Sequence, residues 1–392
     1  MRVLLWGLAV AAALLVVGGT AVGWVFSARI LEPTPYQLFP EFALGPVREV
    51  GDGRYEVVLP LPDGASPPQA ARTDVEGRYG LLWEGGGGPL GPVLERRDGT
   101  VVRRVEVRRG TPPAAGLPAR IDVTLFASPA ERGVSAADVE IPGPLGPLPG
   151  WWIPAPEGAG DRAIVVWHGR RRAERSEALR ILPTLEAHGA EAGASVLVTS
   201  YRNHDASPDD PAGFFRYGAR DGEVADALAA VAWLAERGVR EVVLVGFSMG
   251  GSVALGALDA WPDDAPTPRG VILDAPLIDP FPTFRLGAER LGVPLPGLVT
   301  RLALGVAERR SGVDFAALDR RRIAPDVDVP VLLFAGTGDT TTPISMIDAF
   351  AAALPTPPTY VRLDGVEHVE AWNVGPERYE GEIARFLQAT LP

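Results

Sequence analysis

From about residue 160 to the C-terminus, short uninterrupted apolar runs alternate with longer stretches in which apolar residues recur every three or four positions. The runs at 163–167, 195–199, 241–245, 270–274, 330–335 and 359–363 are rich in Val, Ile and Leu. That is the texture of parallel strands covered on both faces. Helical periodicity near 175–188, 221–237, 249–260, 343–354 and 376–391 lies between or after them, so the pattern predicts a doubly wound, mostly parallel α/β sheet. Asp138–Pro142 and Gly150–Pro154, on either side of a Pro-Gly-Pro-Leu-Gly-Pro stretch, predict an antiparallel hairpin that opens the sheet. Pro280 to about Arg322 is longer than a simple crossover requires and holds Phe281, Phe284, Leu291, Leu295, Leu298 and Leu302, which predicts a lid insertion over 280–322.

Upstream the texture changes. Between Pro33 and about Ala130, β-rich runs at Arg54–Pro60, Gly77–Trp83, Thr100–Arg109 and Ile121–Ala127 are separated by Gly and Pro clusters, the spacing of a small barrel or sandwich. Before that, Arg2 is followed by 24 uncharged residues, Val3–Phe26. As a helix these would span roughly 36 Å, enough to cross the hydrocarbon core of a bilayer. Phe26-Ser27-Ala28 is a poor cleavage site, so an uncleaved signal anchor is expected ahead of a secreted form. Arg2 and the starting amine favour a cytoplasmic N-terminus with the remainder outside. The chain thus divides into an anchor (1–29), a β-rich unit (30–130) and an α/β unit (131–392).

Composition narrows this picture without redirecting it. The 392 residues, 46% of them apolar, suffice for an anchor and two cores. The chain contains no cysteine, which rules out disulfides, thiol catalysis and Cys-ligated zinc. A net charge of −12 argues against general nucleic-acid binding.

The chemistry centres on Glu241–Gly251, EVVLVGFSMGG, where a predicted strand gives way abruptly to a predicted helix. Gly246, Phe247, Ser248, Met249 and Gly250 match G-x-S-x-G, the nucleophile elbow. Glycine is needed on both sides because the tight turn crowds backbone against backbone. A serine nucleophile needs a base and an acid that orients it, in the chain order Ser, Asp or Glu, His. Of the four histidines (168, 188, 204 and 368) only His368 follows Ser248. Asp339, after the predicted strand at 330–335, is the expected acid, with Asp274 as rival one strand earlier. The strand ending in His168-Gly169 is the kind of junction that lends a backbone N–H to an oxyanion hole, so the amides of Met249 and Arg170 are the expected donors and His168 a loop support. Tyr201 and Arg202 follow another strand at the same edge and are expected to line the substrate site.

Taken with Ser-Tyr-Arg-Asn at 200–203, LDAP at 273–276, GTGDTTTP at 336–343 and EHVEAWN at 367–373, these motifs resemble the α/β-hydrolase superfamily, in particular serine hydrolases related to the prolyl oligopeptidase and serine aminopeptidase clans. The chain also resembles membrane-anchored bacterial hydrolases with an added β-rich segment. The resemblance implies a Ser248, Asp339, His368 triad and no metal or organic cofactor. It leaves ester, thioester and short-peptide substrates open. A non-catalytic binding protein on the same fold is the alternative of a different class.

Overall fold

A computed structural model describes residues 19–33, 41–61, 72–156, 160–170 and 174–392. The first helix, α1, covers residues 19–31. Residues 3–18 of the expected anchor lie outside the described residues, and among the described residues no helix is long and apolar enough to cross a membrane.

The β-rich unit is one sheet of β1 (Phe42–Ala43), β2 (Val47–Gly51), β3 (Arg54–Pro60), β4 (Tyr79–Trp83), β5 (Gly86–Arg97), β6 (Thr100–Glu106), β7 (Arg109–Gly110) and β8 (Pro118–Asp122). Its order is β1-β8-β4-β5-β6-β3-β2, with β7 against β5. Residues 42–51 run along both ends of that order. Phe42 pairs with Ala119 of β8 and Val47 with Val57 of β3, while Gly45 N–H donates to Val58 O at 2.8 Å between them. The sheet therefore closes on itself as a small barrel, which removes free edges. Inward Leu44, Val57, Leu59, Leu81, Trp83, Val101 and Val105 fill it.

The second sheet follows with β9 (Ala137–Gly143), β10 (Gly146–Ile153), β11 (Arg162–Trp167), β12 (Ala194–Thr199), β13 (Glu241–Phe247), β14 (Thr267–Asp274), β15 (Val331–Gly336) and β16 (Thr359–Leu363). The order is β16-β15-β14-β13-β11-β12-β10-β9. β9 and β10 form the antiparallel hairpin, and β11 to β16 are mutually parallel. Helices α2 (Leu182–Glu191), α3 (Glu223–Ala235), α4 (Met249–Asp259), α5 (Pro280–Arg290), α6 (Pro296–Ser311), α7 (Ile344–Ala353), α8 (Ala371–Val374) and α9 (Pro376–Thr390) complete the unit. Apolar cores lie on both faces of the sheet, one built on α3, α4 and α7 and the other on α2 and α9. Burial on both faces is why these strands read as unbroken apolar runs.

The 280–322 insertion forms α5 and α6, joined by a short turn in which Leu295 adopts φ 50°, ψ 54°. Helix α1 lies along α6 and runs in the same direction. A Cβ on Gly23 would meet Leu302 O at 3.0 Å, and eight residues further along α6 Arg310 reaches both Ser27 Oγ at 2.9 Å and Glu32 at 2.8 Å. Ser27, Ile30 and Leu31 form the covered face of α1, whereas Val22, Trp24 and Val25 are exposed.

Candidate active site

The strand β13 delivers Ser248 at its C-terminal end, and α4 starts at the next residue. Ser248 has φ 49° and ψ −114°, a strained conformation for a residue with a side chain. The flanking glycines are needed for space. A Cβ on Gly246 would fall 2.5 Å from Gly250 O, and one on Gly250 would fall 2.3 Å from Trp167 O. Only hydrogen fits at either position.

His368 follows β16 and Asp339 follows β15, so both arrive at the edge where Ser248 emerges. The imidazole Nε2 lies 2.8 Å from Ser248 Oγ, and Nδ1 lies 2.7 Å from Asp339 Oδ2. The carboxylate is held by other donors as well. Oδ1 accepts from the N–H groups of Thr341 at 2.7 Å and Thr342 at 2.8 Å, and Oδ2 accepts from Thr342 Oγ1 at 2.7 Å. Burial alone would push the Asp339 carboxyl up, but the charge of His368 and these hydrogen bonds hold it below its ordinary value. Burial likewise pulls His368 down, and the Asp339 charge and hydrogen bond, with Glu177 and Asp274 nearby, outweigh it and raise it. Asp339 therefore stays ionised and fixes Nδ1–H, which leaves Nε2 facing Ser248 as an acceptor.

Asp274, the rival acid, is spent elsewhere. Its carboxylate accepts from Tyr379 Oη at 2.9 Å, its own carbonyl accepts from Ser248 N–H at 2.9 Å, and burial pushes its pKa up to about 6.

Two amides beside Ser248 bear on the oxyanion. Met249 is the first residue of α4, so its N–H is one of the four N-terminal amides with no intrahelical acceptor. Gly169 lies close enough that a Cβ there would stand 3.1 Å from Ser248 Cβ, but its N–H is already donated to Glu177 Oε2 at 2.6 Å. The next amide along, that of Arg170, is the one expected from the sequence. The Arg170 side chain turns toward Tyr217, donating to its hydroxyl and stacking 5.3 Å from the ring centroid.

Tyr201 and Arg202 sit beneath the site rather than facing it. Tyr201 is 0% exposed and donates its hydroxyl to His168 O at 2.6 Å, so it props the His168-Gly169 loop from below. Arg202 is 4% exposed and bonds to Asp226 at 2.8 Å and Asp210 at 3.2 Å. Both follow β12 at the sheet edge, but a residue just past a strand can point under the loop as readily as over it. His168 is fully buried between Gly169 O at 2.7 Å and Ser200 Oγ at 3.0 Å, and burial lowers its pKa, so it is a neutral support. Among the described residues no group of three or more His, Asp or Glu side chains is arranged to hold a metal ion.

Sequence reasoning missed Glu177 and Arg180, which lie in a segment read as an ordinary amphipathic helix. Arg180 is 1% exposed and donates to Val369 O at 2.6 Å and to Asn373 Oδ1 at 3.0 Å, behind His368. Spacing gave no signal for them: Glu177 matters through the Gly169 N–H that it accepts, and Arg180 through contacts nearly two hundred positions away.

A sheet of this order with a serine elbow at its centre is that of the α/β-hydrolase fold. In line with this, the chain superposes on crystal forms of the Pyrococcus furiosus esterase Pf2001 with TM-scores of 0.51 and 0.52, at 20% and 21% identity, over 69% of this chain and 98% and 95% of that one. The chain is also 30% identical over 251 residues to the uncharacterized protein Rv2307c of Mycobacterium tuberculosis, a match that spans 62% of this chain and 75% of the mycobacterial one. It belongs to the same family as that protein. Residues 46–122, the barrel, match a domain family described as a domain of unknown function (DUF8805).

Proposed function

We propose that the protein is a serine hydrolase that cleaves ester or thioester bonds through an acyl-enzyme on Ser248. The observation that carries this reading is the continuous hydrogen-bonded chain from Ser248 Oγ through His368 to Asp339. Ser248 Oγ attacks the acyl carbon while His368 Nε2 takes its proton, and the charge on the new oxyanion is met by the N–H groups of Met249 and Arg170. His368 then protonates the leaving alkoxide or thiolate. Water repeats the sequence on the acyl-enzyme and frees Ser248. A binding protein would not require all three side chains in register. Peptide hydrolysis is the weaker reading, because no acidic pair for a free amino terminus was evident in the sequence. Fluorophosphonate labelling followed by a panel of esters, thioesters and short peptides tests the class and ranks the substrates.

A pH dependence follows from His368. Protonated imidazole cannot take the serine proton, so activity is present above the His368 pKa and lost below it. Because that pKa is raised, the acid limb of kcat/KM should have its midpoint above the ordinary histidine value of about 6.5. A midpoint at or below that value would remove Asp339 as the controlling partner.

The reading extends to a membrane anchor and a lid. Helix α1 and α6 run in parallel, so the N-terminal end of α1, with Gly19 and Gly23 against Leu302, lies toward the α5–α6 turn, where Leu291, Leu295 and Leu298 are exposed. Leu295 is 70% exposed in a left-handed conformation, an unusual place for a large apolar residue, and it suits a tip that rests on lipid. Arg290, at the base of this turn, donates to Thr340 O at 2.8 Å beside the acid loop, which ties the turn to the site. Each CH₂ of a bound acyl chain is worth about 0.8 kcal/mol on burial. Replacing Leu291 or Leu295 by Ser should therefore depress hydrolysis of long-chain esters roughly tenfold more than that of acetyl esters. An equal loss at all chain lengths would assign the turn to the fold. The anchor itself is tested by amino-terminal sequencing and by retention in the membrane fraction through a carbonate wash. A chain beginning near Ala28 would mean a secreted enzyme.

A further inference from the structure

The segment that carries His368 is strained and does not stand alone. Val369, immediately after the base, has φ 54°, a rare conformation for a β-branched residue. Such a conformation persists only where its surroundings over-determine it. From the α/β side, Arg180 holds Val369 O and Asn373 Oδ1. From the same side, Thr340 N–H and Oγ1 donate to Glu367 Oε2 at 3.1 and 2.8 Å. Further restraints come from the barrel. Arg78 N–H donates to Asn373 O at 2.8 Å, and Asn373 Nδ2 donates to Arg78 O at 2.6 Å and Val123 O at 2.9 Å. Tyr79 Oη donates to Glu370 Oε2 at 2.8 Å, and Arg72 pairs with the same oxygen at 2.9 Å. Asn373 is fully buried between the two units. The fit leaves no slack at Gly77, where a Cβ would fall 2.4 Å from Asn373 O.

These contacts are two short polar clasps, one at Glu370 and one at Asn373, set two and five residues beyond the base. A unit that served only to space the enzyme from a membrane would need no bonds to this segment. We infer that the barrel is a working part of the active centre: through Tyr79 and Arg78 it clamps the Glu367–Asn373 segment and so sets the position of His368 against Ser248. Asn373 and Glu370 are positioning residues in this account, since neither touches the reacting atoms. The inference rests on the triad reading above, and it assigns to the domain of unknown function a role in the reaction that the domain's own fold does not reveal.

The test uses the full chain. Asn373→Asp retains the oxygen that accepts from Arg180 but turns the other oxygen against two backbone carbonyls. Tyr79→Phe removes a single hydroxyl and keeps the packing. Val57→Ala, inside the barrel and away from the segment, is the control for barrel stability. Misplacing a catalytic group by about 1 Å costs on the order of 100-fold in rate. The expected result is a fall in kcat of roughly 10-fold for Tyr79→Phe and 100-fold for Asn373→Asp, with KM for a small soluble ester unchanged and fluorophosphonate labelling slowed in parallel. Both should also shift the acid limb of the pH profile, because the imidazole moves relative to Asp339. Val57→Ala should lower the melting temperature and leave kcat alone. If Tyr79→Phe and Asn373→Asp track Val57→Ala, with lowered melting temperature and unchanged kcat and pH profile, the barrel is a passive neighbour and the inference fails. Should Asn373→Asp not fold, Tyr79→Phe decides alone. Retained turnover in Ser248→Ala would overturn the triad reading instead, so the two failures are told apart.

Discussion

Ser248→Ala is expected to reduce ester turnover by roughly 10⁴- to 10⁶-fold, with His368→Ala close behind and the double variant no worse than either single one. The non-additivity follows from the geometry. Ser248 Oγ and His368 Nε2 are joined by one hydrogen bond of 2.8 Å, so removing either end abolishes the same proton transfer. What survives is the contribution of the proposed oxyanion amides at Met249 and Arg170 and of binding, which do not depend on the serine. The fold should tolerate the serine change well, since alanine can occupy φ 49° at no greater cost than serine does and the space around Gly246 and Gly250 is untouched. Measurement of kcat/KM, with fluorophosphonate labelling as an independent readout, checks the assignment. A covalent adduct on the Ser248→Ala protein would place the nucleophile elsewhere.

The parts of this molecule that were legible in sequence are those whose physics is local or nearly so. Parallel strands covered on both faces cannot avoid unbroken apolar runs, and Gly246 and Gly250 announce the elbow because no other residue fits there. Chain order left His368 as the sole candidate for the base. Orientation and long-range contact were not legible. Nothing local says that Tyr201 points under the His168 loop, or that Arg202 is committed to Asp226. The helix expected over 175–188 splits into a 3₁₀ turn at Glu174–Arg180 and α2 from Leu182. Pro183 explains the break, since a residue without an N–H is at home only in a helix's first turn. Closure of the barrel depends on residues 42–51 pairing with both β8 and β3, a topology that short strands with turn residues between them do not disclose. EHVEAWN was visible as a motif, yet its Glu and Asn acquire a purpose only when Tyr79 and Arg78, almost three hundred positions earlier, are brought against them.

The sharpest separation of the two buried acids comes from a paired substitution. Asp339→Asn is expected to lower kcat by about 10³- to 10⁴-fold, whereas Asp274→Asn should cost no more than about tenfold. The asymmetry is one of hydrogen-bond direction. Asp339 Oδ2 accepts from His368 Nδ1, while Oδ1 is fully engaged by the amides of Thr341 and Thr342. An amide in its place keeps its oxygen toward those two N–H groups and turns its NH₂ toward the imidazole. Nδ1 must then become the acceptor, so the ring's proton moves to Nε2, and Nε2 can no longer take the proton of Ser248. Loss of the carboxylate charge also leaves the imidazolium formed in the reaction unstabilised. Asp274, whose carboxyl sits near pH 6 through burial and accepts from Tyr379 rather than from His368, can become an amide with its oxygen still facing the tyrosine hydroxyl. Its effect should fall on stability more than on rate. Steady-state kinetics of the two variants above the acid limb decide the matter. A greater loss in Asp274→Asn would mean that the carboxylate one strand earlier governs the base.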